Sequence, residues 1–194
     1  MKTIIIYSMP VMMLLLQQSC TREFMNEVRD ENKISSQEYW NKPEDAFATL
    51  VACYAILKYN GINGITHNMI MMGMDPAVTN EGQNYVRYEK MSFFPDDSYM
   101  ATSYQHLCAA MFRCNLALEK IPQCYASKGN PEEMKVMLAE ARFLRALTGY
   151  YFTTRFNAPP LITKVFTDND DYKRLTNTDQ QVWLDTIKND CLAA

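Results

Sequence analysis

The sequence is poor in the residues that mark specialised chemistry. It holds two histidines, two tryptophans and six glycines in 194 residues. The histidines, His67 and His106, lie in different segments, and no GxSxG, HExxH or P-loop pattern occurs. An enzyme therefore ranks low, although paired carboxylates drawn from separate segments would leave no motif. Positive charge is not in excess. Nineteen basic residues stand against 22 acidic ones, for a net charge of -3, so no basic face of the kind nucleic acid requires is expected. No cysteine pair has CxxC spacing, so no zinc site is expected, and nothing calls for a cofactor. Six glycines and eight prolines are too few for a low-complexity chain. No apolar run reaches the roughly 20 residues needed to span a bilayer as a helix.

The apolar run that is present lies at the start. Lys2 precedes Ile4-Ile5-Ile6-Tyr7 and Val11-Met12-Met13-Leu14-Leu15-Leu16, and Ser19 then precedes Cys20. A positive start, a short apolar run and a small residue make a secretory signal over residues 1–19. The cysteine that follows resembles the acylated first residue of a bacterial lipoprotein, with Gln17 standing where an aliphatic residue is usual. Cys20 is thus expected to carry a lipid. The polar residues 20–37 read as a linker to a domain over 38–194. Five further cysteines remain, Cys53, Cys108, Cys114, Cys124 and Cys191, an odd number. Cys53, Cys108 and Cys114 fall in helical apolar patterns and read as small core residues. A Cys114–Cys124 disulfide stays open in an oxidising compartment.

The rest of the domain has helical periodicity. Asn41, Pro43 and Glu44 mark a helix start, after which Phe47, Leu50, Val51, Tyr54 and Leu57 recur as one apolar face. A second helix is expected from about Asp97 to Lys120, lined by Tyr104, Leu107, Cys108, Met111, Asn115 and Leu118 and stopped by Pro122. Asn115 is a polar amide on that stripe, so it needs a hydrogen-bond partner in a neighbouring helix or loop. Asn130, Pro131 and Glu133 open a third helix that runs to about Phe156, on which Glu140 and Arg145 read as polar partners. A last helix starts near Thr178, with Gln181 at the capping-box position. Helix pairs with short joins suggest an all-α stack of antiparallel hairpins, without a fixed sequence period. Between the first two helices, residues 61–97 carry scattered glycine, proline and aromatic residues. Connections of that length are uncommon and often functional. Ligand-binding candidates there are Asp75, Asn80, Asn84, Tyr85, Arg87 and Tyr88, whose rings and polar groups suit a saccharide.

Several segments, in order, resemble the SusD-like (RagB/SusD) family. They are Glu38-Tyr39-Trp40-Asn41-Lys42-Pro43-Glu44-Asp45-Ala46, Met111 to Pro122 with Asn115, Ala139-Glu140-Ala141-Arg142-Phe143-Leu144-Arg145-Ala146 followed by Tyr150-Tyr151 and Pro160-Leu161-Ile162-Thr163, and Val182 to Asp190. The resemblance implies tetratricopeptide-like antiparallel helix pairs with long irregular loops. It also implies a non-catalytic lipoprotein exposed on the outer membrane, anchored by its lipid, that captures glycans or related nutrients for a SusC-like TonB-dependent transporter. Family members are more than twice this length, so the chain is expected to match the family's N-terminal part, with the C-terminal part absent. The other reading is a helical protein-interaction scaffold, or a non-functional fragment, without its own ligand site.

Overall fold

Local capping signals start each helix of the computed structural model, which describes residues 39–64, 87–88, 90, 92, 94, 96–127, 129–166 and 173–194. Helix α1 spans Pro43–Ala55 and passes into a 3-10 turn, Ile56–Lys58. Helix α2 spans Ser98–Tyr125, α3 Pro131–Phe156 and α4 Gln180–Ala193. All lie within the unit Trp40–Ala194.

The caps follow the sequence with small displacements. Lys42, not Asn41, is the residue before α1, and the carboxylate that turns back is Asp45, not Glu44. Asp45 Oδ2 accepts from the Lys42 and Asn41 N–H groups at 3.2 and 3.3 Å. Asp97 caps α2, its Oδ1 accepting from the Tyr99 N–H at 2.9 Å and the Met100 N–H at 3.4 Å. Asn130 caps α3 through the Glu132 N–H at 3.0 Å, with Pro131 at the first helical position. Asp179 caps α4 through the Gln181 N–H at 2.7 Å. Gln181 reaches forward to Asp185, and the Thr178 hydroxyl instead accepts the Leu161 N–H at 3.0 Å.

Pro122 does not stop α2, which continues through it to Tyr125. Proline removes one donor, but the turn beyond it carries Cys124 and Tyr125, which are buried in the same cluster as Ile121. Burial of that apolar turn outweighs the missing hydrogen bond.

The helices pack antiparallel in sequence order. Along α2 and α3 the pairs run Tyr104 with Phe156, Asn115 with Arg145 and Tyr125 with Met137. Along α3 and α4 they run Arg142 with Ala193, Arg145 with Asp190 and Phe152 with Trp183. Along α1 and α2, Trp40 lies by Lys120 and Ala52 by Arg113. In each pair one number rises as the other falls. Helix α1 also contacts α3. The described residues are thus helical, in antiparallel pairs, as the sequence predicts.

One expected face is rotated. Helix α1 buries Ala46, Thr49, Leu50 and Cys53, whereas Phe47, Val51 and Tyr54 are 58%, 47% and 42% exposed. One residue is about 100° of turn, so the large apolar residues lie beside the contact instead of in it. Small residues on both helices explain this. Ala46 and Cys53 meet Cys114 and Ala117 of α2 in one cluster, and helices approach closely only where side chains are short.

The core has two parts. One joins α1, the C-terminal half of α2 and the first part of α3, around Leu50, Ile121 and Leu144. The other joins Ile56, Ile62, Leu107, Met111, Phe152 and Trp183. Trp183 is 1% exposed. Its Nε1–H donates to the Pro159 carbonyl at 2.7 Å, and its ring stacks on Phe152 at 5.9 Å between centroids.

Candidate functional site

A polar strap crosses the middle of the bundle. Arg145 on α3 donates from Nε and Nη2 to the two oxygens of Asp190 on α4, both at 2.7 Å. Its Nη1 donates to Asn115 Oδ1 at 3.1 Å and to the Thr163 carbonyl at 3.3 Å. Asn115 in turn donates from Nδ2 to the Ile162 carbonyl at 2.9 Å and the Lys164 carbonyl at 3.5 Å. The amide orientation follows from its neighbours: the oxygen faces a guanidinium that can only donate, and the nitrogen faces carbonyls that can only accept. This network ties residues 162–164 to three helices. Glu140, the other polar candidate on α3, accepts from the Tyr54 hydroxyl of α1 at 2.8 Å. Each of these side chains is thus held by a hydrogen-bond partner on another element.

Two further networks lie at the ends of the long segment between α1 and α2. At its start, Gly61 fits closely against α2. A Cβ there would stand 2.7 Å from His106 Nδ1 and 2.8 Å from Ser103 Cα, so only glycine allows the approach. The Gly61 N–H donates to His106 Nδ1 at 2.9 Å, and the Gly61 carbonyl accepts from Ser103 Oγ at 2.9 Å. Arg155, at the end of α3, donates to the Gly61 carbonyl and Ser103 Oγ from Nη1 and to the Ile62 carbonyl from Nη2. Burial pulls the Arg155 guanidinium below its ordinary value, and the Tyr151 side chain beneath it acts the other way.

At the far end, the Tyr88 hydroxyl donates to Asp97 Oδ1, and Arg87 Nη2 lies 4.0 Å from Asp97 Oδ2. Tyr88 is 1% exposed, with its ring edge-on to Tyr99. It therefore differs from the ligand-facing ring expected of it: it is a packed anchor. Burial and the bond to Asp97 together raise the Tyr88 hydroxyl well above its ordinary value. Burial alone would raise the Asp97 carboxyl too. The bonds from Tyr88, Tyr99 and Met100, with the Arg87 charge, nevertheless hold it below the usual carboxylate range. The folded state thus favours ionised Asp97. Its stabilisation is present above the unfolded carboxyl value, about 3.9, and is lost as pH falls through the lower folded value. Asp97→Asn, which keeps a capping oxygen, is expected to cost roughly 1–3 kcal/mol at neutral pH. The gap from the wild type should narrow as pH falls below the unfolded carboxyl value, about 3.9, as read from urea unfolding at each pH.

Of the ligand candidates, Asp75, Asn80, Asn84 and Tyr85 lie outside the described residues, as does Cys20. Arg87 is partly exposed beside Asp97. Ser103 and Arg155 carry no sequence signal, and His106 stands in the sequence only as one of two isolated histidines. Ser103 and His106 sit at ordinary helix positions. Asp97 was legible as a polar residue ahead of a helical run.

Two apolar clefts flank the bundle. One, of about 370 Å³, lies between α1 and α3 and is lined by Phe47, Leu50, Val136 and Met137 with Glu140 at its side. The other, of about 400 Å³, is lined by Tyr104, Cys108, Met111, Phe112, Pro160 and Ile162. Among the described residues no cluster of side chains suits a metal ion, and no helix is long and apolar enough to cross a membrane. A Cys114–Cys124 disulfide is ruled out by geometry. Both are free and lie on α2 ten residues apart, about 15 Å at 1.5 Å per residue, against a limit near 7 Å between bridged Cα atoms.

No protein-family model matches the chain. A SusD-like protein of Formosa agariphila is 28% identical over 179 residues, covering 87% of this chain and 32% of the relative. Among solved structures, a SusD homolog from Bacteroides thetaiotaomicron superposes with a TM-score of 0.72 at 20% identity, over 85% of this chain and 32% of that one. A SusD-like carbohydrate-binding protein from Bacteroides fragilis gives 0.61 at 23% identity, over 80% and 31%. The chain spans about a third of the length of these relatives. In sequence and in fold, it is similar to part of a SusD-like protein.

Proposed function

We propose that this chain is the helical part of a non-catalytic binding lipoprotein of the outer-membrane surface, which captures glycans or related nutrients for a TonB-dependent transporter. The observation that carries the reading is the likeness, in sequence and in fold together, to SusD-like proteins, one of them described as carbohydrate-binding. In this reading residues 1–19 are the signal, Cys20 takes the lipid, residues 20–37 are the tether and residues 38–194 form the binding domain. Asp75, Asn80, Asn84, Tyr85 and Arg87 are the ligand candidates, on a segment whose flanks are pinned at Gly61 and at Tyr88–Asp97. A rigid base under a long connection is where binding residues are commonly found. Tyr88 serves that base.

The test is retardation of the purified chain on native gels containing a panel of polysaccharides. At least one glycan is expected to retard it, and Tyr85→Ala to abolish the shift while leaving the circular dichroism spectrum unchanged. Free migration through every gel would remove glycan capture by this part of the molecule, and release of reducing sugar would overturn the non-catalytic assignment. A second reading, a scaffold that docks the transporter without holding ligand, is favoured by the exposed Phe47, Val51 and Tyr54 on α1. Co-purification of a transporter after mild detergent extraction, with no heat of glycan binding, would select it.

A further inference from the structure

His106 accepts a backbone hydrogen bond that an imidazolium could not accept. Its Nδ1 lies 2.9 Å from the Gly61 nitrogen and takes that N–H, so the ring proton of the neutral imidazole sits on Nε2. The contact is close: a Cβ on Gly61 would stand 2.7 Å from Nδ1. Protonation gives Nδ1 a proton of its own, and donor then faces donor. Turning the ring over does not help, because Cδ2 takes the place of Nδ1. Neither orientation of an imidazolium supplies Gly61 with an acceptor. The surroundings add charge of the same sign. Arg155 on α3, stacked over Tyr151, holds the Gly61 and Ile62 carbonyls and Ser103 Oγ. Arg113 on α2 lies over the Tyr59 ring and donates to its hydroxyl at 2.9 Å, and that ring stands edge-on to His106 at 5.0 Å between centroids. Among the described residues no carboxylate pairs with His106.

The geometry points to a pH-operated clamp: neutral His106 holds the Gly61 N–H, at the start of the connection between α1 and α2, and protonated His106 releases it. Histidine is the side chain that ordinarily changes charge in the range of about pH 5 to 8. The chain has two, His67 and His106, so the effect can be assigned to one of them. His106 is half-buried on α2, which leaves its ring within reach of solvent protons. Ser103 and Arg155 keep hold of the Gly61 carbonyl. The change is therefore a local loosening at the base of the long connection, and the helices stay packed. The inference needs no ligand and stands apart from the glycan reading.

The experiment follows hydrogen exchange of the Gly61 amide in the full, isotope-labelled chain at about pH 8 and about pH 5.5, on either side of the histidine range, with each rate referred to the intrinsic rate at that pH. Protection of Gly61 is expected to fall by about three- to tenfold at the lower pH, the worth of one net hydrogen bond, in the wild type and in His67→Gln alike. His106→Gln, whose side-chain oxygen can accept but whose amide does not titrate, is expected to keep the protection constant. Asp97 stays ionised at both pH values, because its carboxyl is held below the usual range, so its own titration does not enter. Equal protection at the two pH values in the wild type, the same fall in His106→Gln, or loss of the fall in His67→Gln would overturn the inference. Long-range proton–nitrogen spectra of the imidazoles need no variant of His106. The Nε2–H tautomer is expected for His106 at the higher pH, and an Nδ1–H tautomer there would sink the clamp.

Discussion

Arg145→Ala is expected to lower the unfolding free energy by about 3–5 kcal/mol, the usual cost of stripping one member from a buried ion pair. Both Arg145 and Asp190 are mostly shielded, with side chains 16% and 10% exposed. The two parallel 2.7 Å bonds make this a bidentate pair, the strongest arrangement for a guanidinium and a carboxylate. Removing the guanidinium leaves the Asp190 carboxylate without its partner, frees Asn115 Oδ1 and releases the Thr163 carbonyl. The cost is therefore chiefly one of abandoned polar groups. A double variant, Arg145→Met with Asp190→Leu, removes both charges and should recover much of the loss. Urea unfolding of wild type, single and double variants measures this directly. A double variant as unstable as the single one would show that packing, and not the unpaired charge, sets the cost.

Trp183→Ala should cost a similar ~3–5 kcal/mol, by a different cause. Here a fully buried ring is lost, with its stacking on Phe152 and its bond to the Pro159 carbonyl. The cavity opens beside Gly149, where a Cβ would stand 3.2 Å from Trp183 Cζ3 and 3.1 Å from Ile187 Cγ1. Gly149 thus makes room for α4 to lie close on α3. Trp183→Phe keeps most of the apolar contact and abandons only the carbonyl, for about 1–3 kcal/mol. Thermal or urea unfolding of the two variants separates the ring's volume from its hydrogen bond. Equal losses would mean that the Pro159 bond dominates.

Legibility differs between fold and site for physical reasons that particular residues display. Asn130 and Pro131 act on their own first turn, so α3 was readable from five or six residues. Asn115 stood out because an amide on an apolar stripe must be satisfied, yet its partners, the carbonyls of Ile162 and Lys164, are distant in sequence. Tyr88 looked like a ligand-stacking ring because exposed and buried tyrosines are written alike. Only the proximity of Asp97 and Tyr99 makes it an anchor.

The amino-acid sequence by itself determined that the domain is helical, roughly where its four described helices begin, and that it resembles the SusD-like proteins. Capping oxygens, prolines at first turns and a three- to four-residue apolar spacing all act within a turn or two of chain. Tertiary structure alone decided which face of α1 is buried, whether Pro122 ends α2 and which carboxylate Arg145 engages. Each of these is a competition between local preference and contacts made across the bundle. Small residues at the α1–α2 contact turn Phe47, Val51 and Tyr54 outward, and burial of Cys124 and Tyr125 carries α2 past its proline.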